Sequence, residues 1–181
     1  MQSFNRHLAT PDDTLAVGSR LSAIIAPGTT IHLHGELGAG KTTLVRGLLR
    51  GLGYSGRVKS PTFSLLEPYT LPKLYLYHFD FYRILNNQTL EDIGFREYFN
   101  QQSICIIEWP DHILGLPIAD LNIRLQMITE PRPVETMSYD LDSHNACGRQ
   151  LVIAAPTPIG KNYLAMLARN DRQQLHIHSS E

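Results

Sequence analysis

The chain has 181 residues, 43% of them apolar, and carries 16 Lys and Arg against 17 Asp and Glu, a formal net charge of −1. That length supports one domain with a substantial core. The near-neutral balance argues against a broad nucleic-acid-binding surface and leaves room for a local basic patch only. No apolar run approaches the ~20 residues that span a bilayer, and Met1–His7 lacks the apolar stretch of a signal peptide. Cys105 and Cys147 form no C-x-x-C, so a cytoplasmic protein with no membrane association and no disulfide framework is expected.

In chain order, Thr10-Pro11-Asp12-Asp13 is a helix start: Thr10 suits the N-cap, Pro11 the first helical position, and Asp13 completes a capping box. Leu15, Gly18, Leu21 and Ile25 follow with helical period, and Pro27-Gly28 ends the helix. Thr29 to His34 is β-branched and alternating, which predicts a strand. Residues 35–42, Gly-Glu-Leu-Gly-Ala-Gly-Lys-Thr, then form a complete G-x-x-x-x-G-K-[ST] loop. Leu44, Val45, Leu48, Leu49 and Leu52 continue with helical spacing up to Gly53. Strand, glycine loop and helix therefore come in the order that a nucleoside triphosphate site requires. Glycines let backbone N–H groups turn around the β-phosphate, the helix N-terminus faces it, Lys41 places a charge on the β- and γ-phosphates, and the Thr42 hydroxyl is a ligand for Mg²⁺.

Ser60-Pro61-Thr62 favours an extended or turned backbone, and Thr62 is either a γ-phosphate sensor or an ordinary turn residue. Leu65 to Tyr69 and Leu74 to Phe79 read as strands about a turn at Pro72, with Asp80 at the end of the second. Thr89-Leu90-Glu91-Asp92 fits a capping box and predicts a short helix containing Ile93 and Phe95. Ile104 to Ile107 is continuously apolar, as in a parallel strand buried on both faces, and ends in Glu108. Leu121 to Met127 alternates like a strand with one wet face; Tyr139 to Asp142 and Leu151 to Ile153 read as further short strands, and Tyr163 to Arg169 as a closing helix. The expectation is a single domain over 1–181, α/β with a largely parallel central sheet and helices on both faces, and a disordered tail after about residue 170.

Ligands gather at strand C-termini in open parallel sheets, so Glu108 and Asp80 are the two acidic candidates. Glu108 is assigned to Mg²⁺, mostly through water. Asp80 either shares the metal shell or orients the attacking water. Trp109 is either a core plug or an interaction surface. The eight histidines show no ligand spacing, so no zinc is assigned, and the absence of Asn-Lys-x-Asp favours ATP over GTP. Arg83 is the local candidate for an arginine finger, with a plain surface role equally open.

The Walker A loop, residues 58–65 (Val-Lys-Ser-Pro-Thr-Phe-Ser-Leu), 77–83 (Tyr-His-Phe-Asp-Phe-Tyr-Arg) and 104–110 (Ile-Cys-Ile-Ile-Glu-Trp-Pro) occur in one order with tight spacing. Together they closely resemble the TsaE family, small bacterial ATPases of tRNA threonylcarbamoyladenosine synthesis, over roughly residues 8 to 128. The resemblance implies a P-loop NTPase-like fold and weak ATP hydrolysis. It also implies association with a TsaB–TsaD complex that modifies adenosine 37, with tRNA met only indirectly through that complex. It further implies phosphate contacts from Gly38, Ala39, Gly40, Lys41, Thr42 and Thr43, and Mg²⁺ held by Thr42 and Glu108. Asp80 would be a second essential carboxylate, Pro11 would border the adenine, and Arg132 would make a further nucleotide contact. Lys41, Asp80 and Glu108 would then be the catalytic residues. The competing reading is a small-molecule kinase of the P-loop class, whose arginine-rich lid is not evident between Arg83 and Arg132.

Overall fold

The computed structural model describes residues 3–84, 88–129 and 146–177. The chain runs β1 (Ser3–Leu8), α1 (Pro11–Ser22), β2 (Thr30–His34), α2 (Lys41–Gly51), β3 (Leu66–Leu71), β4 (Leu74–Asp80), β5 (Ser103–Glu108), β6 (Leu121–Thr129), β7 (Ala146–Ala154) and α3 (Pro158–Ile177), with 3₁₀ turns at Arg96–Tyr98 and Pro110–His112. One seven-stranded sheet forms in the order β1-β7-β6-β2-β5-β4-β3.

The predicted cap of α1 forms: Asp13 N–H donates to Thr10 Oγ1 at 3.2 Å, and Thr10 N–H donates back to Asp13 Oδ2 at 2.8 Å. Those bonds, the backbone one foremost, hold the Asp13 carboxyl below the usual range. At the Thr89–Asp92 box the reciprocal bonds also form, yet no α-helix follows. Gly94 sits at φ 71°, its N–H bonds Glu91 O, and Phe95 N–H bonds Leu90 O. A left-handed terminator one turn after the cap leaves no room for a helix, and only the turn at Arg96–Tyr98 continues.

The sheet is parallel at its centre, as expected, and mixed over its whole width. Strands β6, β2, β5 and β4 run parallel, whereas β3 is antiparallel to β4, β7 to β6 and β1 to β7. The β3 edge reverses because β3 and β4 are joined by the two residues Pro72-Lys73, too short a link for a parallel crossover. Pro68 is tolerated because β3 is an edge strand. The polar edge strand β1 carries little apolar alternation and went unpredicted; β7 and α3 both extend beyond the stretches read from sequence, and α3 continues past residue 170. The predicted strand at Tyr139 to Asp142 lies outside the described residues.

Helices do not cover both faces of the β4–β5 half. Leu21 of α1 and Leu44, Val45 and Leu48 of α2 pack on Ile31, Leu33, Ile106 and Ile123. Gly18 and Gly47 make that helix pair close: a Cβ on Gly47 would stand 2.2 Å from Leu15 O, and one on Gly18 2.2 Å from Leu44 O. The opposite face, with Phe79, Cys105 and Ile107, is covered by the loop-rich segment that brings Phe81, Leu90 and Ile113. There aromatic side chains do what a helix would do elsewhere: Phe79 stacks on Phe99 at 5.4 Å and packs on Phe95 at 5.5 Å.

Candidate nucleotide site at the sheet's C-terminal edge

β2 delivers the chain into the glycine loop and α2 carries it away. Gly35, at φ 141°, passes so close to β6 that a Cβ would lie 2.2 Å from Leu125 O. Gly40, at φ 103°, is the left-handed N-cap of α2 and supplies no side-chain cap. The first-turn N–H groups of α2, at Lys41, Thr42 and Thr43, are therefore left for an anion. The first turns of α1 border the same loop, since Thr14 Cγ2 comes within 3.7 Å of the Cβ direction at Gly40. Pro11 is the exposed first residue of that helix.

Alternation along β4 and β5 puts the acidic residues on the helical face. Asp80 pairs in register with Glu108, and His78 with Ile106. All three side chains are buried, His78 completely. The Thr42 hydroxyl donates to Glu108 Oε1 at 2.8 Å, and His78 Nε2 lies 2.9 Å from the same oxygen. His78 Nδ1 has no partner. A buried N–H without an acceptor is costlier than a bare lone pair, which favours the ring proton on Nε2, donating to Glu108.

Asp80 is tied differently. Ser60 and Thr62 hydroxyls each donate to its Oδ2 at 2.7 Å, and Tyr82 N–H donates to its Oδ1 at 3.0 Å. Thr62 is therefore bound to Asp80. Lys41 donates to Gly35 O at 2.7 Å and Glu36 O at 2.9 Å, and its ammonium stands 4.0 Å from the centre of the Trp109 ring. Burial depresses the Lys41 pKa, opposed by the nearby charges of Glu108 and Asp80. Trp109 adopts φ 58° and packs on Tyr82 and His112, so it plugs the wall of the site. The Arg83 guanidinium lies 4.1 Å over the Phe63 ring.

Two participants escaped the sequence reading. His78 lies in a quoted motif, and its i, i+2 relation to Asp80 on a strand was the available signal. Arg149 had none: β7 brings its Nε to 2.9 Å from Ala39 O, bracing the loop from behind. Arg132 lies outside the described residues.

The Thr42–Glu108 pair is a donor set that could hold a hard divalent cation. A hydroxyl and a carboxylate are hard oxygen ligands of the kind Mg²⁺ takes, the rest of its shell being water and phosphate. No cluster of three His, Cys, Asp or Glu able to hold a metal occurs among the described residues.

A model of the family of threonylcarbamoyl adenosine biosynthesis proteins, TsaE, matches residues 8–134. The chain belongs to the TsaE family. It is 39% identical over 144 residues to the tRNA threonylcarbamoyladenosine biosynthesis protein TsaE of Haemophilus influenzae, covering 76% of this chain and 91% of that one. The Bacillus subtilis TsaE is 39% identical over 109 residues, 60% of this chain and 68% of that one. Among solved structures, Bacillus subtilis YdiB superposes with a TM-score of 0.71 at 27% identity, covering 94% of this chain and 97% of the other. The span that the family model matches includes the glycine loop, Asp80 and Glu108.

Proposed function

We propose that this TsaE-family chain is a cytoplasmic, P-loop NTPase-like subunit that binds Mg-ATP, hydrolyses it slowly, and supports threonylcarbamoylation of tRNA adenosine 37 together with a TsaB–TsaD complex. The observation that carries the reading is the 2.8 Å contact between the Thr42 hydroxyl and Glu108 at the mouth of the glycine loop. It joins a phosphate cradle to a carboxylate from a separate strand, which a glycine-rich turn with no ligand would not need. Among the described residues no helix is long and apolar enough to cross a membrane.

In this reading the N–H groups of Gly38 to Thr43 cradle the phosphates, and Lys41 leaves its two loop carbonyls to meet the β- and γ-phosphates. Pro11 and Arg132 are further nucleotide contacts. Mg²⁺, when bound through Thr42 and Glu108, supplies charge neutralisation of the phosphates. His78 keeps Glu108 Oε1 in place when the Thr42 hydroxyl turns to the metal. Asp80 Oδ1 retains a free lone pair beside its Tyr82 bond and orients the attacking water. Arg83 is held on Phe63, so no finger is evident among the described residues; a charge supplied in trans is worth ~10³ or more in rate, which accounts for slow hydrolysis alone.

Calorimetric titration of Mg-ATP tests the site: Lys41→Ala and Thr42→Ala should each bind at least tenfold more weakly, with unchanged melting. Equal affinity in both variants would remove the nucleotide assignment. Affinity for TsaB–TsaD should be higher with ATP than with ADP, and Trp109→Ala should weaken it more than it weakens ATP binding. Indifference to nucleotide state would remove the partner-switch reading.

A further inference from the structure

Between Glu36 and Glu67 the sequence contains no Asp or Glu, yet it holds Arg46, Arg50, Arg57 and Lys59 besides the loop lysine. The fold gathers these four cations around one cleft of about 500 Å³, between the last turns of α2 and the loop that follows. Arg46 Nη2 donates to Val58 O at 3.3 Å and so stitches helix to loop. The side chains of Arg50, Arg57 and Lys59 are exposed and pair with no carboxylate among the described residues. Unneutralised like charges on one wall are unfavourable until an anion joins them.

The geometry points to this cleft as a binding site for the phosphate backbone of RNA. Three guanidiniums are the groups that grip phosphate oxygens in pairs. The Ser55 hydroxyl in the same wall adds a neutral donor. An acidic peptide would seek an apolar anchor as well, and the one large apolar residue lining the cleft, Val58, is buried at 6% exposure. A lone phosphate ion would fill only a fraction of the space. The cleft also reaches Ser60, whose hydroxyl is bonded to Asp80, so an RNA seated there abuts the loop that holds the acidic pair. A direct contact of this kind goes beyond the indirect one expected from the sequence, and it does not depend on the ATP reading.

The test is fluorescence anisotropy of the full chain with a fluorescein-labelled tRNA transcript across about 50 to 200 mM salt, where each phosphate contact contributes about 0.7–0.9 to the log–log slope. The Arg50→Gln/Arg57→Gln double variant removes two exposed cations and no internal bond. It should lower the slope by about 1.5 and weaken low-salt binding at least tenfold, with melting and Mg-ATP affinity unchanged. Parallel arms use sodium tripolyphosphate and polyglutamate as competitors. No tRNA binding by the wild-type chain, or an unchanged slope in the double variant, overturns the proposal. Polyglutamate displacing tRNA at equal charge overturns it in favour of an acidic protein segment. Tripolyphosphate binding without tRNA binding overturns it in favour of a small phosphate-bearing ligand. Failure of the ATP reading would instead appear as absent Mg-ATP binding by the wild type, whatever the tRNA result.

Discussion

The two faces of the sheet solve the same burial problem with different materials. On one, aliphatic side chains of β2, β5 and β6 meet a pair of helices drawn together by Gly18 and Gly47. On the other, Phe79, Cys105 and Ile107 are covered by loop and 3₁₀ turns, and aromatic rings provide the bulk. The difference has a functional consequence. Strand alternation assigns His78, Asp80 and Glu108 to the helical face, the same face from which α2 aims its N-terminus at the glycine loop. On that face Thr42 of α2 reaches Glu108, while Asp80 is held from the loop by Ser60 and Thr62.

The largest effect should come from emptying the aromatic face. Phe79 is fully buried, so Phe79→Ala should cost about 3–5 kcal/mol, read as a lower denaturation midpoint in urea. A loss below about 1 kcal/mol would mean that loop-borne aromatics reseal the space. The helical face should fail in the opposite way, by overfilling. Gly47→Ala sets a Cβ against backbone at Leu15, and a loss near the top of the usual 1–3 kcal/mol is expected. A neutral result would show that the helices slide apart freely.

Chemistry should separate from stability at the shared edge. Asp80→Asn removes the charge that accepts from Ser60 and Thr62, and should slow ATP hydrolysis about 10²-fold with Mg-ATP affinity changed only a few-fold. Wild-type turnover in the folded variant would strip Asp80 of its role. The smallest effect is a pH dependence on the loop-covered face. His32 is held down to about 4, first by burial and then by His34, with Asp111 opposing. Its unfolded value is about 6.5, so as pH falls from there the unfolded chain takes a proton that the folded chain refuses. This stability is fully present above about pH 6.5 and is lost on approach to about pH 4. His32→Gln should flatten that slope by about 2 kcal/mol, allowing for partial exposure; an unchanged slope would place the titration elsewhere.

What the sequence determined by itself was local. The Thr10 capping box, the glycine loop between a strand and a helix, and the apolar run ending in Glu108 are each fixed by neighbours a few residues apart, where backbone sterics and side-chain chemistry act directly. The same logic misled at Thr89–Asp92, because a cap written locally was cancelled by a terminator at Gly94. Tertiary structure alone decided the rest. The Thr42–Glu108–His78 chain, the Ser60 and Thr62 clamp on Asp80, and the reach of Arg149 to Ala39 all depend on which strands adjoin and in what register. So does the number of parallel strands: only at β3 is the reversal written locally, in the two-residue link to β4. Strand order and register are set by burying the whole sheet at once, and no window of sequence contains that sum.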